Sequence, residues 1–310
     1  MAWRLKQQAA DRADLEIGIG ARASRGLERP AEHLASPNDR RQVLTLAAAG
    51  FPQCWNGMIR GLLLDLEGVL YESGHTIAGA ADAVRELADA GLRIRYLTNT
   101  TTRSRRAIVE RLRSMGIFID PQHLFTPSAA ACRLLERDGI RRLHLAAPSA
   151  LCEDFAVFEL VEADPEAVVM GDLHKGFTWH RLNQLFQMLR SGARLVALHR
   201  NRYCRRESGI SLDLGPFVAA LEYAADIRAE VVGKPARAFF DLALDDLGLD
   251  ADEVVMVGDD IEADIGGAQN AGLRAIQVET GKYTPRDREH PTVRPDLIIA
   301  LPAAIGMIPG

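Results

Sequence analysis

The sequence predicts an α/β protein built on a doubly wound, Rossmann-like parallel sheet. Two observations carry that prediction. From residue 59 onward, short apolar runs of the buried-strand type alternate with helical stretches, which is the βαβ rhythm of such sheets. Acidic residues also stand where the apolar runs end: Asp65 after Leu62-Leu63-Leu64, and Asp259-Asp260 after Val254-Val255-Met256-Val257-Gly258. Open α/β sheets bind ligands at those carboxyl ends. With 47% hydrophobic residues in a chain of 310, there is enough apolar surface to build a core, so wholesale disorder is excluded.

Residues 1–57 differ from the rest. They carry eight Lys/Arg against six acids on a broken hydrophobic pattern. They are expected to be a poorly ordered extension with short helical pieces at 2–15 and 39–49, and Met58 is an alternative start. The cluster Gly18-Ile19-Gly20 with Gly26 lacks the spacing and the preceding strand of a phosphate loop. Residues 62–65 then read as a strand. Residues 78–90 read as a helix with Ala81, Val84, Leu87 and Ala88 on one face and Gly91 as its stop. A strand at 92–98 follows, then a helix at 102–115 that aligns Ile108, Leu112 and Met115. The middle section predicts strands at 143–146, 167–170 and 195–198, with helices at 128–138, 149–155 and 180–190. The last section predicts a strand at 230–232 and a helix at 236–247 striped by Phe240, Ala243, Leu244 and Leu247. A strand at 254–257, a helix at 261–271 and a strand at 275–278 complete it.

The net charge of -5 leaves no basic field for nucleic acid. No apolar run approaches the roughly 18–20 residues that cross a bilayer, so no membrane is expected as partner. Cys54, Cys132, Cys152 and Cys204 are far apart and form no CxxC pair, which argues against a zinc ribbon or a disulfide framework. A reducing, cytoplasmic setting is expected. The N-terminus has no apolar segment of the signal-peptide type.

Carboxylates delivered to one rim by separate strands repel one another, and a bound divalent cation resolves the conflict. Hard oxygen ligands in small number suit Mg²⁺. Asp260 alone also reads as a helix cap. Thr98 and Asn99 follow a strand end, where a hydroxyl and backbone N–H groups can hold phosphoryl oxygens; a plain turn is the alternative. Lys234, fixed between Gly233 and Pro235, can neutralise a phosphoryl group and keep Asp65 ionised.

Taken in order, Asp65-Leu66-Glu67-Gly68-Val69-Leu70-Tyr71, Leu97-Thr98-Asn99, Gly233-Lys234-Pro235 and Gly258-Asp259-Asp260 with Asp264 resemble the four motifs of the haloacid dehalogenase-like (HAD) phosphatases. The long stretch between the second and third motifs resembles the inserted α/β C2 cap of the class IIA, NagD-type members. The segments Ser208-Gly209-Ile210-Ser211-Leu212-Asp213-Leu214-Gly215-Pro216 and Gly266-Gly267-Ala268-Gln269 are similar to the subfamily of phospholysine phosphohistidine inorganic pyrophosphate phosphatases and the related haloacid dehalogenase-like hydrolase domain-containing group. The likeness runs from about Met58 to near the C-terminus.

The resemblance implies a core at 58–127 and 213–310 around a cap at 128–212. It implies a Mg²⁺-dependent phosphohydrolase acting on a small phosphorylated compound, pyrophosphate or an N-phosphorylated amino acid. Asp65 would be the nucleophile that becomes an aspartyl-phosphate. Asp65 and Asp259 would hold Mg²⁺ by side chains and Glu67 by its backbone carbonyl. Thr98, Asn99 and Gly68 would bind phosphate, Lys234 would stabilise its charge, and Asp260 and Asp264 would hold the metal waters and Lys234. One position departs from the pattern, since most such phosphatases carry Asp where Glu67 stands. The extra methylene shifts the carboxyl by about 1 Å, a displacement that can cost on the order of 100-fold in rate. A catalytically weak phosphate-binding or scaffolding protein of the same fold therefore stays open as the alternative. Substrate contacts in the cap are expected from Asp172, His174, Lys175, Thr178, Asn201, Arg202 and Tyr203. Arg200, Arg202, Arg205 and Arg206 are either a solvated face or an attraction for an anionic substrate. A cap-mediated homodimer is also left open.

Overall fold

The computed structural model describes residues 59–206 and 209–300, apart from the side chains of Arg205 and Arg206. The expectations for residues 1–57, for Met58 and for Ser208 lie outside the described residues. In chain order come β1 (Gly61–Asp65), the hairpin β2 (Tyr71–Glu72) and β3 (His75–Thr76), α1 (Ala80–Asp89), β4 (Arg93–Leu97), α2 (Arg105–Ser114), β5 (Leu124–Phe125) and α3 (Pro127–Arg137). A second set follows: β6 (Arg142–Ala146), β7 (Glu159–Leu160), β8 (Ala167–Met170), α4 (Trp179–Arg190), β9 (Arg194–Ala197), the hairpin β10 (Tyr203–Arg206) and β11 (Gly209–Leu212), α5 (Leu214–Ala225) and β12 (Glu230–Val231). The chain ends with α6 (Arg237–Leu247), β13 (Val254–Gly258), α7 (Gly267–Asn270), β14 (Arg274–Val278) and β15 (Leu297–Ile299).

The core sheet has six parallel strands in the order β15-β14-β13-β1-β4-β5. Its central strand, β1, is buried along its whole length. An unbroken apolar run is what a strand covered on both faces requires. Leu64 is in register with Val257 on one side and Tyr96 on the other. The chain positions just beyond these, Asp65, Thr98 and Asp259, therefore share one edge of the sheet.

The inserted unit has its own five-stranded parallel sheet, in the order β12-β9-β8-β6-β7. α4 and α5 cover one face with Leu185, Met188, Leu189, Val218 and Leu221. The other face shares an apolar cluster with the core, in which Val169 and Val196 join Ala131 and Leu135 of α3 and Phe239 and Phe240 of α6. Polar side chains stop the fraying of these helices. Ser104 accepts from Ala107 N, Thr126 from Ala129 N and Thr178 from Arg181 N.

Several expectations need correction. The core does not resume at residue 213. α5 packs on the inserted sheet, and β12 pairs with β9 (Glu230 with Val196, Val231 with Ala197), so the return falls after Val231. α5 is apolar almost all round, which hides the period by which it could be read. The stretch 149–155 makes one tight turn, Ser149–Leu151, and no longer helix. The stretch 261–271 opens with a wide turn, Ile261–Gly266, in which Ile265 N reaches back to Asp260 O, before the short α7. In α1 the buried face is Ala80, Ala83 and Leu87, and Ala88 is exposed. The described cysteines, Cys132, Cys152 and Cys204, are unbridged. Among the described residues no helix is long and apolar enough to cross a membrane.

Core and insert also meet through a buried polar network. Thr101, just past β4, accepts from Asp172 N at 3.1 Å and lies 3.4 Å from His199 Nε2. His199 Nδ1 accepts from Asn201 N at 3.3 Å, which puts the ring proton on Nε2, and Asp213 Oδ1 lies 3.7 Å from that nitrogen. Burial pushes the His199 pKa below its ordinary 6.5; Asp213 and Asp172 oppose this and Lys282 adds to it. Well above pH 6.5 the ring is neutral in folded and unfolded chain alike. As the pH falls, the unfolded chain takes up the proton first, so stability is lost until the folded-state pKa is passed. Thermal melts at about pH 7.5 and about pH 5.5 should therefore show a smaller drop in Tm for His199→Gln than for the parent protein.

Candidate active site

Three segments distant in sequence converge at the carboxyl edge of the core sheet. Lys234, only 2% exposed, lies three residues beyond β12. Its Nζ donates to Asp65 Oδ1 and to Asp264 Oδ1, each at 2.6 Å. Asn99 clamps the same lysine by its backbone: Nδ2 donates to Lys234 O at 2.8 Å and Oδ1 accepts from Lys234 N at 2.9 Å. Both ends of the Asn99 amide are thus engaged. The side chain expected to bind phosphate is turned onto the lysine's backbone, with the second N–H of its amide in neither bond. Thr98 is buried, and its Oγ1 accepts from Thr100 N at 3.1 Å and lies 3.0 Å from Thr100 Oγ1.

Asp264 links the lysine to the fourth segment. Its Oδ2 accepts from the backbone N–H of Asp259 (3.2 Å) and Asp260 (3.1 Å). Asp260 does not join it on Lys234 as expected. Its Oδ1 caps the following turn through Glu262 N and Ala263 N, and its Oδ2 pairs with Lys282 Nζ at 2.8 Å. Burial would raise the Asp260 pKa, but Lys282 and the two N–H groups hold it below the ordinary carboxylate value. Burial likewise works against the charge on Lys282 and Lys234, yet their carboxylate partners outweigh it and raise both.

The segment after β14 escaped the sequence reading. Lys282 N donates to Asp259 Oδ2 at 2.6 Å, the Thr280 hydroxyl donates to Gly68 O, and Gln277 Nε2 donates to Asp259 O at 3.1 Å. Gly68 (φ +90°) and Gly281 (φ +60°) both pack on the Asp259 carboxylate, and a Cβ at either would collide with it. The rule that exposed Asp65 and Asp259 applies to β14 as well. Thr280-Gly281-Lys282 sits at the same strand edge, but lacks the acidic signature that drew attention to the others.

The carboxylate oxygens of Asp65, Asp259 and Asp264 lie within 4.8 Å of one another, and all three residues are buried. Burial, aided by Asp264, pushes the Asp65 pKa up to about 7 despite the opposing Lys234. Burial, then Asp65 and Asp264, raise Asp259 well above the ordinary value. With Asp260 counted, four carboxylates stand against two ammoniums, Lys234 and Lys282, so the set is short of positive charge. Its hard oxygens fit a small divalent cation.

Glu67 is exposed and opens on a cavity of about 180 Å³ shared with Tyr71, Thr100 and Arg111. A larger cleft, about 430 Å³, runs between the insert and the core and is lined by Asn201, Arg202, Tyr203, Pro235, Asp260 and Lys282. Two of the expected cap contacts, Asn201 and Tyr203, thus face the neighbourhood of the site. Asp172 and His174 line neither cavity. Asp172 Oδ1 is turned back onto His174 N at 2.8 Å, and its own N–H is held by Thr101, so this segment belongs to the junction between the units. Arg200 pairs with Glu222 and Arg202 with Glu262, each at 2.6 Å.

Comparison with known proteins gives the family. Residues 62–159 match the family described as haloacid dehalogenase-like hydrolase, and residues 231–301 match one described as HAD-hydrolase-like. The chain belongs to the haloacid dehalogenase-like hydrolase family, and it is an enzyme of the phosphatase class. The phospholysine phosphohistidine inorganic pyrophosphate phosphatase of Homo sapiens is 42% identical over 77% of this chain and 89% of its own length. Among solved structures, a 4-nitrophenylphosphatase from Thermotoga maritima is 27% identical with a TM-score of 0.76, covering 82% of this chain and 98% of that one. A glycerol phosphate phosphatase from Mycobacterium tuberculosis, in complex with magnesium, is 28% identical with a TM-score of 0.71, covering 80% of this chain and 77% of that one.

Proposed function

We propose that the protein is a Mg²⁺-dependent phosphohydrolase that works through an aspartyl-phosphate on Asp65, and that its substrate is a small phosphorylated compound, pyrophosphate or an N-phosphorylated amino acid. The observation that carries the reading is Lys234 Nζ at 2.6 Å from both Asp65 and Asp264, beside the buried carboxylate of Asp259. The name of the human relative supports the substrate range, and the magnesium in the mycobacterial structure supports the metal.

Asp65 and Asp259 would hold Mg²⁺ by their side chains and Glu67 by its backbone carbonyl. The cation would offset the charge of the phosphoryl oxygens and of the carboxylates around it. One Asp65 oxygen is held by Lys234, and the other attacks phosphorus in line. The bond from phosphorus to the leaving group breaks as the new bond forms, and Glu67 supplies the proton that the leaving atom takes up. Glu67 then accepts a proton from the water that cleaves the aspartyl-phosphate and frees inorganic phosphate. Lys234 offsets charge on the transferred group, while Asp264 and Asn99 keep that lysine in place.

The direct test measures phosphate release from pyrophosphate, phosphohistidine, phospholysine and simple phosphate esters, with Mg²⁺ and with a chelator. Release that needs Mg²⁺ is expected, and none from any of these compounds would sink the reading. The Glu67 step is checked separately. Glu67→Gln should lower kcat/KM, which ends with formation of the aspartyl-phosphate, by about 100-fold on an alkyl phosphate. It should lower kcat/KM far less on 4-nitrophenyl phosphate, whose leaving group departs without a proton. Equal losses of kcat/KM on both would remove Glu67 from protonation of the leaving group.

A further inference from the structure

The cavity beside Glu67 holds charge that the reaction above does not use. Arg103 and Arg111 both line it, and neither has an ion-pair partner among the described residues. Other arginines of the described chain do hold carboxylates, as Arg60 with Glu253, Arg95 with Asp246 and Arg106 with Glu153 illustrate. In a protein of net charge -5, two guanidinium groups stand in one cavity with Glu67 as its one acid, and neither pairs with it. Arg111 is also fixed. Its Cζ lies 5.5 Å from the centroid of the buried Tyr71 ring, its Nη2 lies against Gly74 of the β2–β3 hairpin, and its Nε is buried with no hydrogen-bond partner. A guanidinium held at the cavity wall by the ring and the hairpin is pre-organised for an oxyanion.

The cavity adjoins the reacting centre. Glu67 is two residues from Asp65, and Thr100, which also lines it, is hydrogen-bonded to Thr98. The electrostatic influence on Tyr71 of Asp65 and Glu67 on one hand, and of Arg103 and Arg111 on the other, places all four around one phenol. A leaving group protonated by Glu67 would extend into this space.

We infer that Arg103 and Arg111 form a leaving-group subsite that selects substrates bearing a second anionic group, a carboxylate or a phosphoryl, beyond the scissile bond. The inference rests on the phosphatase reading of the Asp65 site. The chemistry shared by both anions is a pair of oxygens able to accept parallel N–H bonds from a guanidinium.

Two substrate pairs test it: carboxymethyl phosphate against 2-hydroxyethyl phosphate, and pyrophosphate against methyl phosphate. The readout is the ratio of kcat/KM, anionic over neutral, in the parent protein, Arg111→Met and Arg103→Gln. The ratio should fall about tenfold or more in the variants. A fall in one pair alone supports the subsite and names its anion. Ratios within about twofold of the parent in both pairs overturn it, because a merely structural arginine would lower both members of a pair alike. Arg103 is exposed, so Arg103→Gln decides the matter if Arg111→Met does not fold. If the parent protein releases no phosphate from any of the four compounds, binding replaces the ratios; the phosphatase reading itself fails only if phosphohistidine and phospholysine are spared as well. Calorimetric titration with pyrophosphate then decides the subsite. Binding about tenfold weaker in Arg103→Gln supports it, and equal affinity overturns it.

Discussion

Asp65→Asn is expected to lower Mg²⁺-dependent phosphate release by on the order of 10⁴-fold or more while leaving the protein folded. The side chain ends β1 at the centre of the sheet, so its position is fixed by the strand register, and asparagine fills the same volume. The amide oxygen can still accept from Lys234 Nζ, and Asp264 remains as the lysine's charged partner. What disappears is the nucleophilic oxygen. The carboxyl of Asp65 is already pushed up by burial, so its charge is not a large source of stability before a cation binds. Acid-quenched reactions should contain phosphoprotein for the parent and none for the variant. Turnover within tenfold of the parent, or phosphoprotein formed on the variant, would remove Asp65 from the reaction.

The core of this site was legible because the strands that carry it are buried on both faces. Such strands read as plain apolar runs, and an acid at the end of one is conspicuous. Asp65, Asp259, Asp264 and Lys234 stand together as their motif order implied. Side-chain direction was not legible. Nothing in the order Thr98-Asn99 says that the amide turns to Lys234's backbone rather than to a ligand. Nor could the partner of Asp260 be foreseen, because Lys282 arrives from a segment on the far side of β14. The boundary of the insert was misread for a related reason. Glu230 and Val231 precede the lysine motif by only a few residues, yet their backbone pairs with β9, and only strand pairing reveals to which sheet a two-residue strand belongs. His199 and Thr101 illustrate the same limit, since their link joins segments 98 residues apart.

Lys234→Met should have the second large effect, and it should act on rate and stability together. The ammonium is almost fully buried and stands between two carboxylates at 2.6 Å. Methionine keeps the length and packing of the stem but leaves Asp65 and Asp264 facing one another without a counter-charge. Breaking one side of a buried ion pair typically costs about 3–5 kcal/mol. The same loss removes a preformed positive charge from the transferred phosphoryl group, for which about 10³-fold in kcat/KM is expected. Adding Asp264→Asn separates the two consequences. The double variant has one fewer unpaired carboxylate, so its stability should exceed the sum of the single effects, as groups in one network do not add. Its activity should stay as low as that of Lys234→Met, because the charge opposite the phosphoryl group is still missing. Additive stabilities in this cycle, read from denaturant unfolding, would mean that Lys234 and Asp264 do not act as a pair. A restored rate would mean that the lysine serves the fold alone.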